Sequence, residues 1–81
     1  MEIQEIRSQR VLDTRGLHHP MQLLKIRAAL RTMISGDILE VWDTDPYSRK
    51  EIPESGGRDN DEFVGSVRDP EGYIRYYIRK G

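Results

Sequence analysis

Apolar residues recur along this chain with two different spacings, and the switches between them mark out the elements. Gln9 to Thr14 (QRVLDT) predicts a short strand, closed by the turn signal Arg15-Gly16. Beyond Pro20, Leu23, Ile26, Leu30, Met33 and Ile34 fall at helical spacing and define one apolar face. Pro20 suits the first turn of that helix, where its missing N–H is not needed. Ser35-Gly36 is the expected stop, because glycine accepts the left-handed conformation at a helix end. Ile38 to Asp43 (ILEVWD), rich in β-branched and aromatic residues, predicts a second strand. Thr44-Asp45-Pro46 predicts a second helix start, with Asp45 as cap and Pro46 in the first position. Pro53 interrupts that helix, and Ser55 to Asp61 reads as loop. Glu62 to Arg68 and Tyr73 to Arg79 predict a hairpin turning at Asp69-Pro70-Glu71-Gly72.

The order is therefore βαβαββ, and the fold class is α/β: a two-layer sandwich, with both helices on one face of a mixed four-stranded sheet and right-handed crossovers. Residues 9–81 are expected to form a single domain and residues 1–8 a flexible N-terminal arm. At 81 residues the chain is near the low end of what folds alone. Its 36% hydrophobic and 33% charged content is drier than a disordered segment and wetter than a membrane protein. No run approaches the roughly 20 apolar residues of a membrane-spanning helix. The start MEIQEIRSQR lacks the basic-then-apolar pattern of a signal peptide, so a cytoplasmic protein is expected. With no cysteine, a disulfide framework and a cysteinyl zinc site are excluded, and no cofactor is expected.

The net charge of −1 hides an asymmetry. Between Arg7 and Arg31 there are six bases against one acid; between Asp37 and Glu71 there are eleven acids against four bases. A globally basic nucleic-acid binder is disfavoured, while a surface with one basic and one acidic region would steer docking to charged partners.

Four groups of residues carry candidate chemistry. His18 and His19 stand at the strand-to-helix turn, where an imidazole that titrates near neutrality could act as ligand or acid/base. Adjacent histidines chelate poorly and no third ligand is near in sequence, so no metal site is expected; Asp13 is the carboxylate that folding could bring close. Met21, Leu24 and Ala28 project together, away from the core stripe, as a small apolar patch beside His19 of the kind that marks a protein contact; the alternative is Leu24 packed under the N-terminal arm. Tyr73, Arg75, Tyr77 and Arg79 alternate onto one strand face, to which Trp42 can add. Aromatics interleaved with arginines can clamp single-stranded nucleic acid, although a solvated sheet face is the plainer reading. Asp59, Asp61 and Glu62 do not match calcium-loop spacing and read as solvated turn residues.

From Asp13 to the C-terminus the chain resembles the TusA/SirA family of small sulfur carriers. The resemblance rests on Asp13-x-x-Gly16-x-x-x-Pro20, a helix ending near Gly36, Thr44-Asp45-Pro46, Ile52-Pro53 and the terminal Ile78-Arg79-Lys80. It implies the same βαβαββ sandwich. It also implies a Cys-Pro-x-Pro motif at the start of the first helix, whose cysteine carries sulfur as a persulfide. Here the motif reads His19-Pro20-Met21-Gln22: the cysteine and the second proline are both replaced. An imidazole cannot form a persulfide, so no catalytic residue is carried over. The resemblance implies a docking site around Asp13, Gly16, His18, His19, Pro20, Met21, Gln22 and Leu24. The leading expectation is a non-catalytic accessory module in sulfur trafficking, with a protein partner such as a cysteine desulfurase or a sulfur acceptor. The alternatives are a component of a multi-protein sulfurtransferase relay whose acceptor cysteine lies on a partner, and a nucleic-acid-binding module.

Overall fold

The computed structural model describes residues 6–58 and 60–81, so most of the expected N-terminal arm, at 1–5, and Asp59 of the expected loop lie outside the described residues. Four strands and two helices follow in the order β1 (Arg10–Asp13), α1 (Met21–Arg31), β2 (Ile38–Asp43), α2 (Ser48–Ser55), β3 (Glu62–Arg68) and β4 (Ile74–Arg79). The sheet order is β1-β2-β4-β3, with β1 parallel to β2 and the other neighbours antiparallel. This is the mixed four-stranded, two-layer sandwich expected from the sequence.

Alternation decides which side of the sheet each residue serves. Leu39 pairs with Ile78 and Val41 with Tyr76, and all four are buried beneath the helices. Leu23, Ile26, Ala29 and Leu30 of α1 and Ile52 of α2 close the same core, with Leu12, Met33, Phe63 and Ile74 packed at its margin. Ser48 and Ile52, one turn apart, are the buried positions of α2.

The strands at either end of the chain are shorter by one residue at Gln9, Thr14 and Tyr73, and the helix boundaries differ more from the sequence reading. The first helix stops at Arg31 rather than running to Ser35-Gly36, because the Thr32 hydroxyl folds back to donate to Ala29 O (2.8 Å). Met33 still reaches the core margin, but Ile34, expected inside, is 72% exposed. Gly36 does adopt a positive φ of 93°, in the turn after the helix, where its N–H donates to Lys80 O at 2.8 Å. Pro20 is the residue before the helix, not in its first turn, and the His19–Pro20 bond is cis. Finally, α2 begins at Ser48, preceded by a turn in which Tyr47 N–H donates to Asp45 Oδ1 at 3.1 Å, so Asp45 nucleates the helix from further back than a cap. Pro53 lies within α2 instead of interrupting it. Close to the C-terminal end its missing N–H removes a single ladder bond, while Ile52 anchors the turn in the core.

Candidate functional site

Because β1 and β2 run parallel, the loops that follow them leave from the same edge of the sheet, and the starts of α1 and α2 meet there. The loop from β1 is tied down residue by residue. Asp13 is gripped at two points by Arg15, whose Nε donates to Oδ1 at 2.9 Å and Nη2 to Oδ2 at 2.8 Å. That side-chain contact holds the Asp13 carboxyl below its ordinary range. Gly16 turns the chain at φ 84°, and its N–H donates to Thr44 Oγ1 at 3.2 Å. Leu17 N–H then donates to Thr14 O, and Met21 N–H to His18 O.

Both histidines are exposed. The carboxylate that meets His19 is not Asp13, which Arg15 retains, but Glu51 of α2: His19 Nδ1 lies 2.5 Å from Glu51 Oε1. Gln22, in the place of the second motif proline, is buried and bridges the two loops. Its Nε2 donates to Asp45 Oδ2 at 2.8 Å and to Leu17 O at 3.2 Å. The Tyr47 N–H, with Gln22 second, holds the Asp45 carboxyl below its ordinary range. Replacing Gln22 with alanine should therefore free Asp45 from α1 and lower stability by about 1–2 kcal/mol, read as a shift in the denaturant midpoint at constant slope.

Beside this bridge, an open groove of ≈ 660 Å³ is lined by His19, Pro46, Tyr47, Lys50, Glu51 and Glu54, among others, and Tyr47 is 75% exposed in it. On the outer side of α1, Met21 (44%) and Leu24 (52%) are exposed with Ala28, as the apolar-patch reading requires. Among the described residues none covers Leu24, and residues 1–5 of the arm lie outside them. Among the described residues no group of three or more His, Asp or Glu side chains is arranged to hold a metal ion.

On the face shared by Tyr73, Arg75, Tyr77 and Arg79, neither tyrosine ring is open for stacking. Alternation does place Arg75 opposite Trp42, away from the helices. Tyr73 and Tyr77, however, are both buried. Tyr73 packs on Trp42 at 5.1 Å between ring centroids, and the Arg15 guanidinium covers both rings at 4.8 and 5.1 Å. Arg75 is paired with Asp69 at 3.4 Å, and Arg79 with Glu62.

Under the site lies a buried polar knot that the sequence does not advertise. Asp43, at the end of β2, accepts hydrogen bonds from the Ser48 hydroxyl of α2 and the Thr14 hydroxyl that follows β1 (3.0 Å). No cation is paired with it among the described residues. Burial pushes its carboxyl up, against the pull of those two hydroxyls, and burial together with the nearby Asp43 raises Tyr76 to about 12.

Set against known proteins, residues 10–80 match the family model described as sulfurtransferase TusA. The chain is 33% identical to YrkI of Bacillus subtilis (strain 168), over 94% of this chain and 100% of that one. It is 33% identical to the sulfur carrier protein TusA of Pseudomonas putida (strain GB-1), over 86% of each. Against the longer YrkF of Bacillus subtilis (strain 168) the identity is 30%, and the match spans only 38% of that protein. A solved SirA-like protein from Desulfitobacterium hafniense shares the fold, with a TM-score of 0.71 at 18% identity over 90% of this chain and 99% of its own. Family model, relatives and architecture agree: the chain belongs to the TusA family of sulfur carriers.

Proposed function

We propose that this chain is a cytoplasmic accessory module of sulfur trafficking that binds protein partners of the sulfur-carrier system without carrying sulfur itself. The observation that carries the reading is the occupancy of the motif. The position that resemblance assigns to the persulfide cysteine holds His19, already engaged by Glu51, in a chain with no cysteine anywhere. Around it the scaffold is kept: a tied loop, Pro20 before the helix, and exposed Met21 and Leu24 beside the site. A contact surface that has lost its chemistry can still occupy a docking site, either alongside a cysteine-bearing relative or in competition with it.

Binding to purified cysteine desulfurases and sulfur-accepting proteins, followed by calorimetry, tests this. Micromolar affinity is expected, weakened about tenfold or more by Leu24→Arg, which places a charge at the centre of an apolar contact. No binding at micromolar concentration, or binding indifferent to Leu24→Arg, contradicts the reading. If adding the chain speeds sulfur transfer between two partner proteins, the relay alternative, with the acceptor cysteine on a partner, takes its place. Nucleic-acid binding is the weakest of the three readings, because the rings at positions 73 and 77 are buried and the arginines at 75 and 79 are paired with acids.

A further inference from the structure

α1 has two stripes. The inner one, Leu23, Ile26, Ala29 and Leu30, is spent on the core. The outer one, Met21, Leu24, Lys25, Ala28 and Arg31, is exposed along the whole helix, about 16 Å at 1.5 Å per residue. It mixes aliphatic side chains with cations and holds no acid; α1 contains none at all. α2 carries exposed Arg49 and Lys50 of its own. On the opposite side of the sheet the pattern reverses: Arg15, Arg75 and Arg79 are each neutralised by a carboxylate. Lys25, Arg31, Arg49 and Lys50 make no ion pair among the described residues, and Glu51, the acid nearest the motif, is taken by His19.

We infer that the outer stripe of α1 recognises an acidic protein segment, one that presents carboxylates to Lys25 and Arg31 and an aliphatic side chain to Leu24 and Ala28. This deepens the docking reading proposed above and rests on it. An aliphatic centre rimmed by unpaired cations is the half of an interface that an acidic, partly apolar surface completes: burial supplies affinity, while the charges supply register and on-rate. A single-stranded nucleic acid would use the same cations but needs stacking rings, and none lies on this stripe.

The test is amide chemical-shift mapping on the full ¹⁵N-labelled chain with a short acetylated peptide of alternating glutamate and leucine pairs. A lysine/leucine peptide and a single-stranded oligonucleotide serve as comparisons. The glutamate/leucine peptide is expected to shift Met21, Leu24, Lys25, Ala28 and Arg31, to weaken as salt is raised, and to lose about tenfold in affinity to a Lys25→Glu, Arg31→Glu variant. That variant should instead take the lysine/leucine peptide, which shows at once that it is folded and that charge governs the choice. Absence of shifts at millimolar peptide, shifts elsewhere, or an equal response to the lysine/leucine peptide or the oligonucleotide overturns the inference. A desulfurase separates it from the parent reading. If the wild type binds the enzyme and the charge reversal leaves that binding unchanged, this inference falls and the sulfur-trafficking reading stands. If no desulfurase or sulfur acceptor binds but the peptide maps to α1, the reverse holds.

Discussion

Replacing Asp43 with alanine is expected to lower stability by about 2–3 kcal/mol near neutral pH, while asparagine at the same position changes it by less than about 1 kcal/mol. For a domain of this size the alanine variant should melt roughly 10–20 °C lower. Asp43 is 2% exposed and joins three elements: the Thr14 hydroxyl after β1, its own strand, and the Ser48 hydroxyl that opens α2. Alanine leaves the Ser48 hydroxyl buried without its acceptor and takes one of the two acceptors of the Thr14 hydroxyl, which keeps Trp42 O at 2.7 Å. Asparagine keeps an acceptor oxygen, and a hydroxyl can rotate to receive its N–H. The two substitutions also differ in pH behaviour. Burial raises the Asp43 pKa in the folded state, so folding favours the protonated carboxyl. The stability this contributes is fully present below the unfolded value of about 3.8 and is lost as pH rises through the raised folded value. Wild type should therefore gain on Asp43→Asn as the pH is lowered. A difference that grows in favour of wild type as pH rises would show that Asp43 is stabilised as the anion, contrary to its burial.

Much of this architecture was legible in the chain, and the misreadings share a physical pattern. The strands at 38–43 and 62–68 were predicted to the residue, because β-branched and aromatic runs bounded by turn residues leave little ambiguity. Helix ends were less legible. The spacing of Met33 and Ile34 continues that of Leu30, yet a local competitor, the Thr32 hydroxyl on Ala29 O, ends the helix first and turns Ile34 outward. Alternation correctly put Tyr73 and Tyr77 on the face away from the helices. It says which side a ring points to, not what covers it, and nothing local announces that Arg15 folds over Trp42 and Tyr73.

The site divides in the same way. Its first half, Gly16 to Gln22, was visible because turn chemistry and a helix start are local signals. Its second half, Asp45 and Glu51, lies 23 and 32 residues from the partners Gln22 and His19. A pairing across that separation follows only from sheet order. Once β1 and β2 are parallel neighbours, the loops after both must share an edge, which brings the start of α2 and Glu51 to His19. Asp43 was hidden for a different reason. A carboxylate at a strand end reads as a solvated boundary unless its hydroxyl partners, from two other elements, are already placed.

Restoring the lost motif should produce the largest functional effect: persulfide uptake where the cysteine-free wild type has no acceptor atom. A cysteine at position 19 would stand beside a helix start with no acid in its first turn, which favours a thiolate. Proline at position 22 is compatible with the first turn, where an N–H has no intrahelical partner, but it removes the bridge to Asp45. His19→Cys alone is therefore the necessary second variant. Both variants leave Glu51 without its imidazole, and a bare carboxylate nearby opposes a thiolate. Adding Glu51→Gln is thus expected to speed the reaction, about tenfold if the local charge dominates.

The decisive measurement is sulfur transfer from a cysteine desulfurase to the His19→Cys and His19→Cys, Gln22→Pro variants, each with and without Glu51→Gln, followed by intact-mass gain of one sulfur atom. Uptake by at least one folded variant, abolished by Leu24→Arg, is what a retained docking surface with silenced chemistry predicts. Folded variants that accept nothing from the enzyme, while a low-molecular-weight persulfide loads them normally, would show that the docking surface has been lost along with the cysteine.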